Sequence, residues 1–236
     1  MTENRIEIKQ ADRSNFRETS MDSFDRFQEV QNVWRIENGR LVLKFRPFTE
    51  TWTPERRREK AGEILSGRYI TFCAFAGDAV VGEIMLIPEL NEDRLIIDSF
   101  HVSRAYRRRG IGRRLIETAA DYARGRGASA LYASCCSAEE TIAFYKAMGF
   151  RLSEHPIPSR VEEEPFDLQM ERGLFTTKGP MPESLQTLNA WVWQEWFPKE
   201  GKQRKANDMA TLELYSAGDP RSPDYESGIW VPLKEV

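Results

Sequence analysis

Read from the N-terminus, the chain alternates apolar and polar positions over Arg5-Ile-Glu-Ile-Lys9, the period of a first strand. The stretch from Ala11 to Trp34 is polar with scattered aromatics (Phe16, Phe24, Phe27, Trp34), a pattern that predicts helical or mixed structure. Asn38-Gly39 signals a turn between two short extended pieces, the second being Leu41–Phe45. Thr53-Pro54-Glu55 supplies a cap residue, a proline in the first turn and an acid behind it, so a helix is predicted from there to about Leu65, stopping near Gly67. Two apolar runs, Tyr69–Phe75 and Val80–Ile87, meet across Gly77-Asp78 as a hairpin, and a third strand covers Leu95–Val102. From Gly110 to Ala123 the period becomes helical, with Ile111, Leu115, Ala119 and Tyr122 on one face. A short strand at Ala130–Ala133, a helix at Glu139–Met148, and strands at Phe150–Leu152 and Phe166–Met170 complete an α/β unit.

Composition then changes. Thr176–Pro182 has linker chemistry. Beyond it a helix with apolar face Leu185, Leu188, Val192 and Trp196 is closed by Pro198 and followed by strands at Ala210–Tyr215 and Ile229–Leu233. Four of the six tryptophans (Trp191, Trp193, Trp196, Trp230) lie in this tail, which is small for an independent core. The division predicted is 1–173, a linker at 174–181, and a module at 182–236.

With 34 Lys plus Arg against 37 Asp plus Glu, the net charge of −3 gives no general drive towards nucleic acid. No apolar run reaches the ~18 residues of a membrane-spanning helix. The start, MTENRIEIKQ, has no basic region followed by an apolar one, so no secretory signal is expected. Three cysteines, Cys73 and the adjacent Cys135 and Cys136, do not make a disulfide framework and point to the reducing cytoplasm. With two histidines and no ligand spacing, no metal site is expected.

The most informative segment is Leu95–Val102 followed by Ser-Arg-Ala-Tyr and Arg107-Arg-Arg-Gly-Ile-Gly-Arg113. A strand enters a turn and a helix begins there. Such a turn aims backbone N–H groups and the positive end of a helix at one point, a cradle for a diphosphate, while arginines 107, 108, 109 and 113 add charge-assisted donors. Other phosphate cradles fit less well: a nucleotide P-loop wants a Gly-Lys-Ser/Thr ending, and a dinucleotide fold wants the glycines right after the first strand with an acid ~20 residues on.

Arg107-x-x-Gly110-x-Gly112, together with Ile142-Ala-Phe-Tyr-Lys-Ala-Met-Gly-Phe150 downstream, resembles the coenzyme A signature and the following helix of the GNAT (Gcn-five-related) N-acetyltransferases over residues 1–173. Phe24–Leu43 and Glu164–Met170 look like one bacterial subgroup of that family. The resemblance implies a mixed sheet with splayed central strands flanked by helices, and transfer of an acetyl group from acetyl-CoA to a primary amine of a small molecule or protein, by direct attack in a ternary complex. It implies that backbone groups from Phe100 through His101 to Val102 pair with the pantetheine arm, and that the N–H groups from Arg108 through Arg109, Gly110, Ile111 and Gly112 to Arg113 hold the pyrophosphate. Tyr145 matches a tyrosine that protonates the departing thiolate, and Asp98 the place of a base, with Glu83 the next candidate. Ala138 stands where the family often has asparagine, leaving Ser137 as its substitute. Glu162-Glu163-Glu164 reads as a solvated loop or as an attractor of a cationic acceptor.

Trp193-Gln-Glu-Trp-Phe-Pro198, Leu212-Glu-Leu-Tyr215 and Gly228–Leu233 resemble half of a GyrI-like effector-binding domain, as found in AraC-type regulators. That resemblance implies Glu213 as a cation-binding carboxylate, with Trp193, Tyr215 and Trp230 as pocket walls, and a homodimer that rebuilds the twofold pocket from two tails. The alternative reading is a catalytically weak protein of the same fold that sequesters hydrophobic cationic drugs.

Overall fold

The computed structural model describes residues 5–174, 176–199 and 212–230, and the chain divides between Arg172 and Gly173 into two compact units. The first unit is built on a seven-stranded mixed sheet. Its strands are β1 (Ile6–Gln10), β4 (Ile70–Ala76), β5 (Ala79–Leu86), β6 (Arg94–Val102), β7 (Ala130–Cys135), β8 (Arg151–Leu152) and β9 (Leu168–Gly173), in the order β1-β4-β5-β6-β7-β9-β8. A separate hairpin of β2 (Phe27–Glu37) and β3 (Arg40–Thr51) precedes helix α1 (Pro54–Leu65).

Helix α1 starts where its residues dictate: Pro54 opens it and Thr53 Oγ1 accepts the Arg56 N–H at 3.2 Å. Its Ala61 and Ile64 pack with Phe16, Met21, Phe24, Cys73, Phe75 and Met85 into a core on one side of the sheet. Helix α2 (Ile111–Gly125) buries Ile111, Leu115, Ile116, Ala119, Ala120 and Ala123, spaced three and four apart along one stripe. Helix α3 (Glu139–Ala147) buries Ile142 and Tyr145.

Two stretches depart from the sequence reading. Phe27–Trp34, read as part of a helical or mixed segment, belongs to an eleven-residue strand, Phe27–Glu37, and Glu18–Met21 forms a 3-10 turn before it. Val30 and Val33 are the buried pair, three residues apart like positions on a helix face, and the register shift beside them places the extra residue in β3, where Arg46 and Pro47 oppose Gln31. The region around the acidic triplet, read as loop, contains the short helix α4 (Pro158–Glu163).

The second unit holds a three-stranded sheet, β10 (Thr176–Lys178), β12 (Glu226–Trp230) and β11 (Leu212–Tyr215) in that order, with helix α5 (Glu183–Trp191) continuing into a π-helical turn, Val192–Trp196. Leu185, Val192, Trp196 and Ile229 form its core. Thr176–Lys178, read as linker, is a strand because it pairs with β12, Lys178 opposite Glu226. Part of the strand read at Ala210–Tyr215 and part of that at Ile229–Leu233 lie outside the described residues.

Candidate active site

Strands β6 and β7 run parallel and in register from Arg94 opposite Ala130 to Ile97 opposite Ala133, and there their pairing ends. Strand β6 continues to Val102 against β5 alone, with Val102 opposite Gly82. The Ser103 N–H donates to the Val81 carbonyl at 2.9 Å, so by the alternation of a strand Phe100 and Val102 turn their own N–H and C=O groups away from β5, into the gap. The Val102 carbonyl already accepts the Arg107 Nε–H at 3.0 Å, which leaves the N–H of Val102 and both backbone groups of Phe100 as the pairing edge.

Just beyond, the chain turns into α2. Arg108 and Gly110 both have positive φ, +61° and +76°, which curls the backbone before Ile111. The two glycines have different reasons. Gly110 is required by its left-handed conformation, with open space where a side chain would lie. Gly112 is required by packing: a Cβ there would stand 3.1 Å from the Phe144 ring and 3.4 Å from that of Phe100. Arg108, Arg109 and Arg113 are exposed. Arg107 is half-buried, and burial together with the nearby Arg26 charge pulls its pKa down.

Across the gap, Tyr145 is 6% exposed and packs edge-on against Phe100, Phe144 and Phe150. Burial, then the adjacent Cys135, pushes its phenol well above the usual range, so it stays protonated. Ser137 is engaged elsewhere: its hydroxyl accepts from Arg35 and its carbonyl from the Trp34 N–H at 2.7 Å.

The two base candidates separate. Asp98 accepts Arg160 Nη2–H of α4 at 3.0 Å, an ion pair that occupies its carboxylate. Glu83 is fully buried, with its Oε1 accepting the Ser99 hydroxyl at 2.9 Å and lying 2.7 Å from His101 Nδ1. The Lys60 ammonium donates to the Ser99 Oγ at 3.3 Å, and Trp52 packs edge-on to the His101 ring at 4.7 Å. Burial lowers the His101 pKa, with Glu83 opposing, so the ring is neutral at pH 7.

Asp167 precedes β9, whose Gln169 Oε1 accepts from Tyr132 at 2.7 Å and Ser134 at 2.8 Å of β7. That places Asp167 beside the Cys135–Cys136 end of β7, where burial, Glu164 and Glu50 raise its pKa to about 7. A cavity of about 360 Å³ lined by Arg5, Lys9, Arg17 and Asp78 lies along β1, three places from β6 in the sheet, and is separate from this gap.

Residues 39–150 match the model of the acetyltransferase (GNAT) family. Just under half of the chain therefore matches a GNAT acetyltransferase domain. The fold is similar to that of nourseothricin acetyltransferase (19% identity, 72% of this chain and 98% of that one, TM-score 0.55). It is also similar to a Bacillus anthracis protein described as a streptothricin acetyltransferase in complex with acetyl coenzyme A (15% identity, 72% and 98%, TM-score 0.54). No curated protein matches the sequence.

In the first unit the structure brings Phe100, Val102, the Arg107–Arg113 turn and Tyr145 to one gap, with Glu83 and His101 on the α1 side of β5 and β6. Sequence reasoning missed Arg26, Glu50, Trp52 and Asp167, which carry no motif or spacing of their own. In the second unit Glu213 is exposed and accepts from the Tyr215 hydroxyl, and Tyr215 and Trp193 are 55% and 37% exposed. Trp230 ends β12, and its side chain lies outside the described residues.

Proposed function

We propose that the GNAT domain transfers an acetyl group from acetyl-CoA to a primary amine by direct attack in a ternary complex. The observation that carries this reading is the unpaired edge of β6 opening beside the Arg107–Arg113 turn. The pantetheine arm adds to Phe100 and Val102 as an extra strand. The pyrophosphate sits on the N–H groups at the start of α2, with Arg108, Arg109 and Arg113 around it. Ala138 offers no amide, and the Ser137 hydroxyl is taken by Arg35, so the arm relies on the strand edge.

The amine must lose a proton to attack. We assign the acceptor of that proton to His101, with Glu83 holding Nδ1–H so that Nε2 carries the lone pair. The amine nitrogen bonds to the thioester carbon, the carbon–sulfur bond breaks, the sulfur takes the Tyr145 proton, and the phenolate takes the second proton shed by the nitrogen. The products are an N-acetyl amine and free CoA, with no covalent enzyme intermediate. Asp98, tied to Arg160, holds α4 in place in this scheme. Glu50, Glu164 and Asp167 favour an acceptor that arrives as a cation.

We assign the second unit a dimerisation or cation-capturing role similar to that of half a GyrI-like domain. In support, Glu213 and Tyr215 form an exposed carboxylate–aromatic pair and Trp193 is half-exposed. A cytoplasmic location accords with the three free cysteines, and among the described residues no helix is long and apolar enough to cross a membrane. The test of the main reading is release of free thiol from acetyl-CoA across a panel of amines. Thiol release that depends on an amine supports it, and CoA binding without turnover for any amine favours the sequestering alternative.

A further inference from the structure

One buried cation has no part in the scheme above. Arg26 is 7% exposed. The Asp25 N–H donates to Ser103 Oγ at 3.1 Å, and the Asp25 carbonyl accepts the Arg104 N–H at 2.9 Å, so this segment is fastened across the C-terminal end of β6. The Arg26 carbonyl accepts the N–H of Trp52, the residue packed on His101, at 3.1 Å. Two residues on, Gln28 Nε2 donates to Thr141 Oγ1 at 3.1 Å, one turn before Tyr145 on α3. Arg26 therefore bridges the end of β6 and the start of α3, the elements on either side of the gap.

Its guanidinium is held in a fixed plane. Nη2 donates to Gln28 Oε1 at 3.0 Å and Glu50 Oε2 at 2.6 Å. Nη1 is buried and has no hydrogen-bond partner among the described residues. A buried, charged N–H without an acceptor is costly, so a site that retains one is arranged for an acceptor that arrives with a ligand. The Arg26 charge is felt by His101, Arg107 and Cys136, three residues that border the gap.

We propose that Arg26 is a catalytic residue whose Nη1–H donates to the thioester carbonyl oxygen of bound acetyl-CoA and to the oxyanion formed from it. The assignment rests on the CoA reading above. As the amine nitrogen bonds to the carbonyl carbon, the carbonyl π pair moves onto oxygen and meets the guanidinium N–H donor. The pair then returns as the carbon–sulfur bond breaks and sulfur takes its proton. The same charge helps keep His101 neutral and able to accept the amine's proton.

The test needs no known acceptor. Acetyl-CoA carrying ¹³C at the thioester carbonyl is bound to the full-length protein, and its stretch is read by isotope-edited infrared difference spectroscopy, with calorimetry reporting affinity. In the wild type the stretch falls below that of free acetyl-CoA. R26Q moves it back towards the free value while acetyl-CoA affinity changes by less than about threefold, and kcat in R26Q drops by about 10²–10³ for any amine that is turned over. R26K, which keeps the charge and loses the planar fork, falls between the two. E50Q, which removes the anchor and leaves Nη1 in place, retains the lowered stretch. An R26Q spectrum matching the wild type overturns the proposal, as does an E50Q spectrum matching R26Q, which would assign the effect to the hairpin. If R26Q does not fold, R26K decides: a stretch moved towards the free value in a folded, CoA-binding R26K supports the guanidinium donor, and a stretch indistinguishable from wild type overturns it. A wild type that binds no acetyl-CoA defeats the CoA reading itself, a failure distinguishable from that of Arg26 alone.

Discussion

Asp167 sets stability against charge, and its cost can be worked through. Burial, with Glu164 and Glu50 nearby, raises its pKa from 3.8 to about 7. A carboxyl whose folded pKa is raised contributes stability below its unfolded pKa and loses it as pH climbs through the folded value. Between pH 5 and pH 8 about two pKa units of that loss occur, or about 2.7 kcal/mol before screening. The group is partly exposed, so solvent reduces this to about 1 kcal/mol. D167N removes the titration. Urea unfolding at both pH values is the assay: the asparagine variant gains about 1 kcal/mol more over wild type at pH 8 than at pH 5, equivalent to about 2–4 °C in Tm. A gain equal at the two pH values refutes the reasoning, because it would mean that Asp167 ionises as freely in the folded chain as in the unfolded one.

Other consequences follow from single residues. G112A pushes a methyl group to 3.1 Å from Phe144 and costs about 1–3 kcal/mol in chemical denaturation, while G110A, with a φ of +76° and open space, costs about 1 kcal/mol; the reverse order contradicts the two reasons given. Y145F removes a phenol that burial keeps protonated and lowers kcat about 10²-fold in steady-state assays while leaving the KM for acetyl-CoA within about threefold; unchanged kcat excludes Tyr145 as the acid. Light scattering on the full chain yields about twice the 27.3 kDa monomer mass, and W193A with Y215A shifts it towards monomer; a monomeric wild type at micromolar concentration ends the tail-pairing proposal.

Legibility in the sequence followed the range of the signal. The β4–β5 hairpin, β6 and α2 were readable because their periods are local and uninterrupted, and the Arg107–Gly112 turn because its chemistry is contiguous. The Asn38-Gly39 turn of the β2–β3 hairpin was readable, but the length of β2 was hidden because its buried Val30 and Val33 stand three apart, off the strand period. Asp98 was matched by resemblance to the place of a base, but its ion-pair partner, Arg160, lies 62 residues downstream, beyond the reach of any local pattern. Arg26, Glu50 and Asp167 come from a turn, a hairpin and the segment before β9, and only the packed hairpin brings them near the gap. Gly112 was legible as a glycine but not for its reason, which is the close approach of α2 to two aromatic rings.

The central claim is that the gap between β6 and β7 and the turn into α2 hold a CoA thioester. Titration calorimetry with acetyl-CoA on the purified chain tests it most directly. The account predicts one site per chain with micromolar affinity, weakened at least about tenfold in R108E with R113E, since a charge-assisted hydrogen bond to a phosphate contributes about 1.5–3 kcal/mol. No heat with acetyl-CoA or free CoA, or an affinity untouched by reversing those two charges, would contradict it.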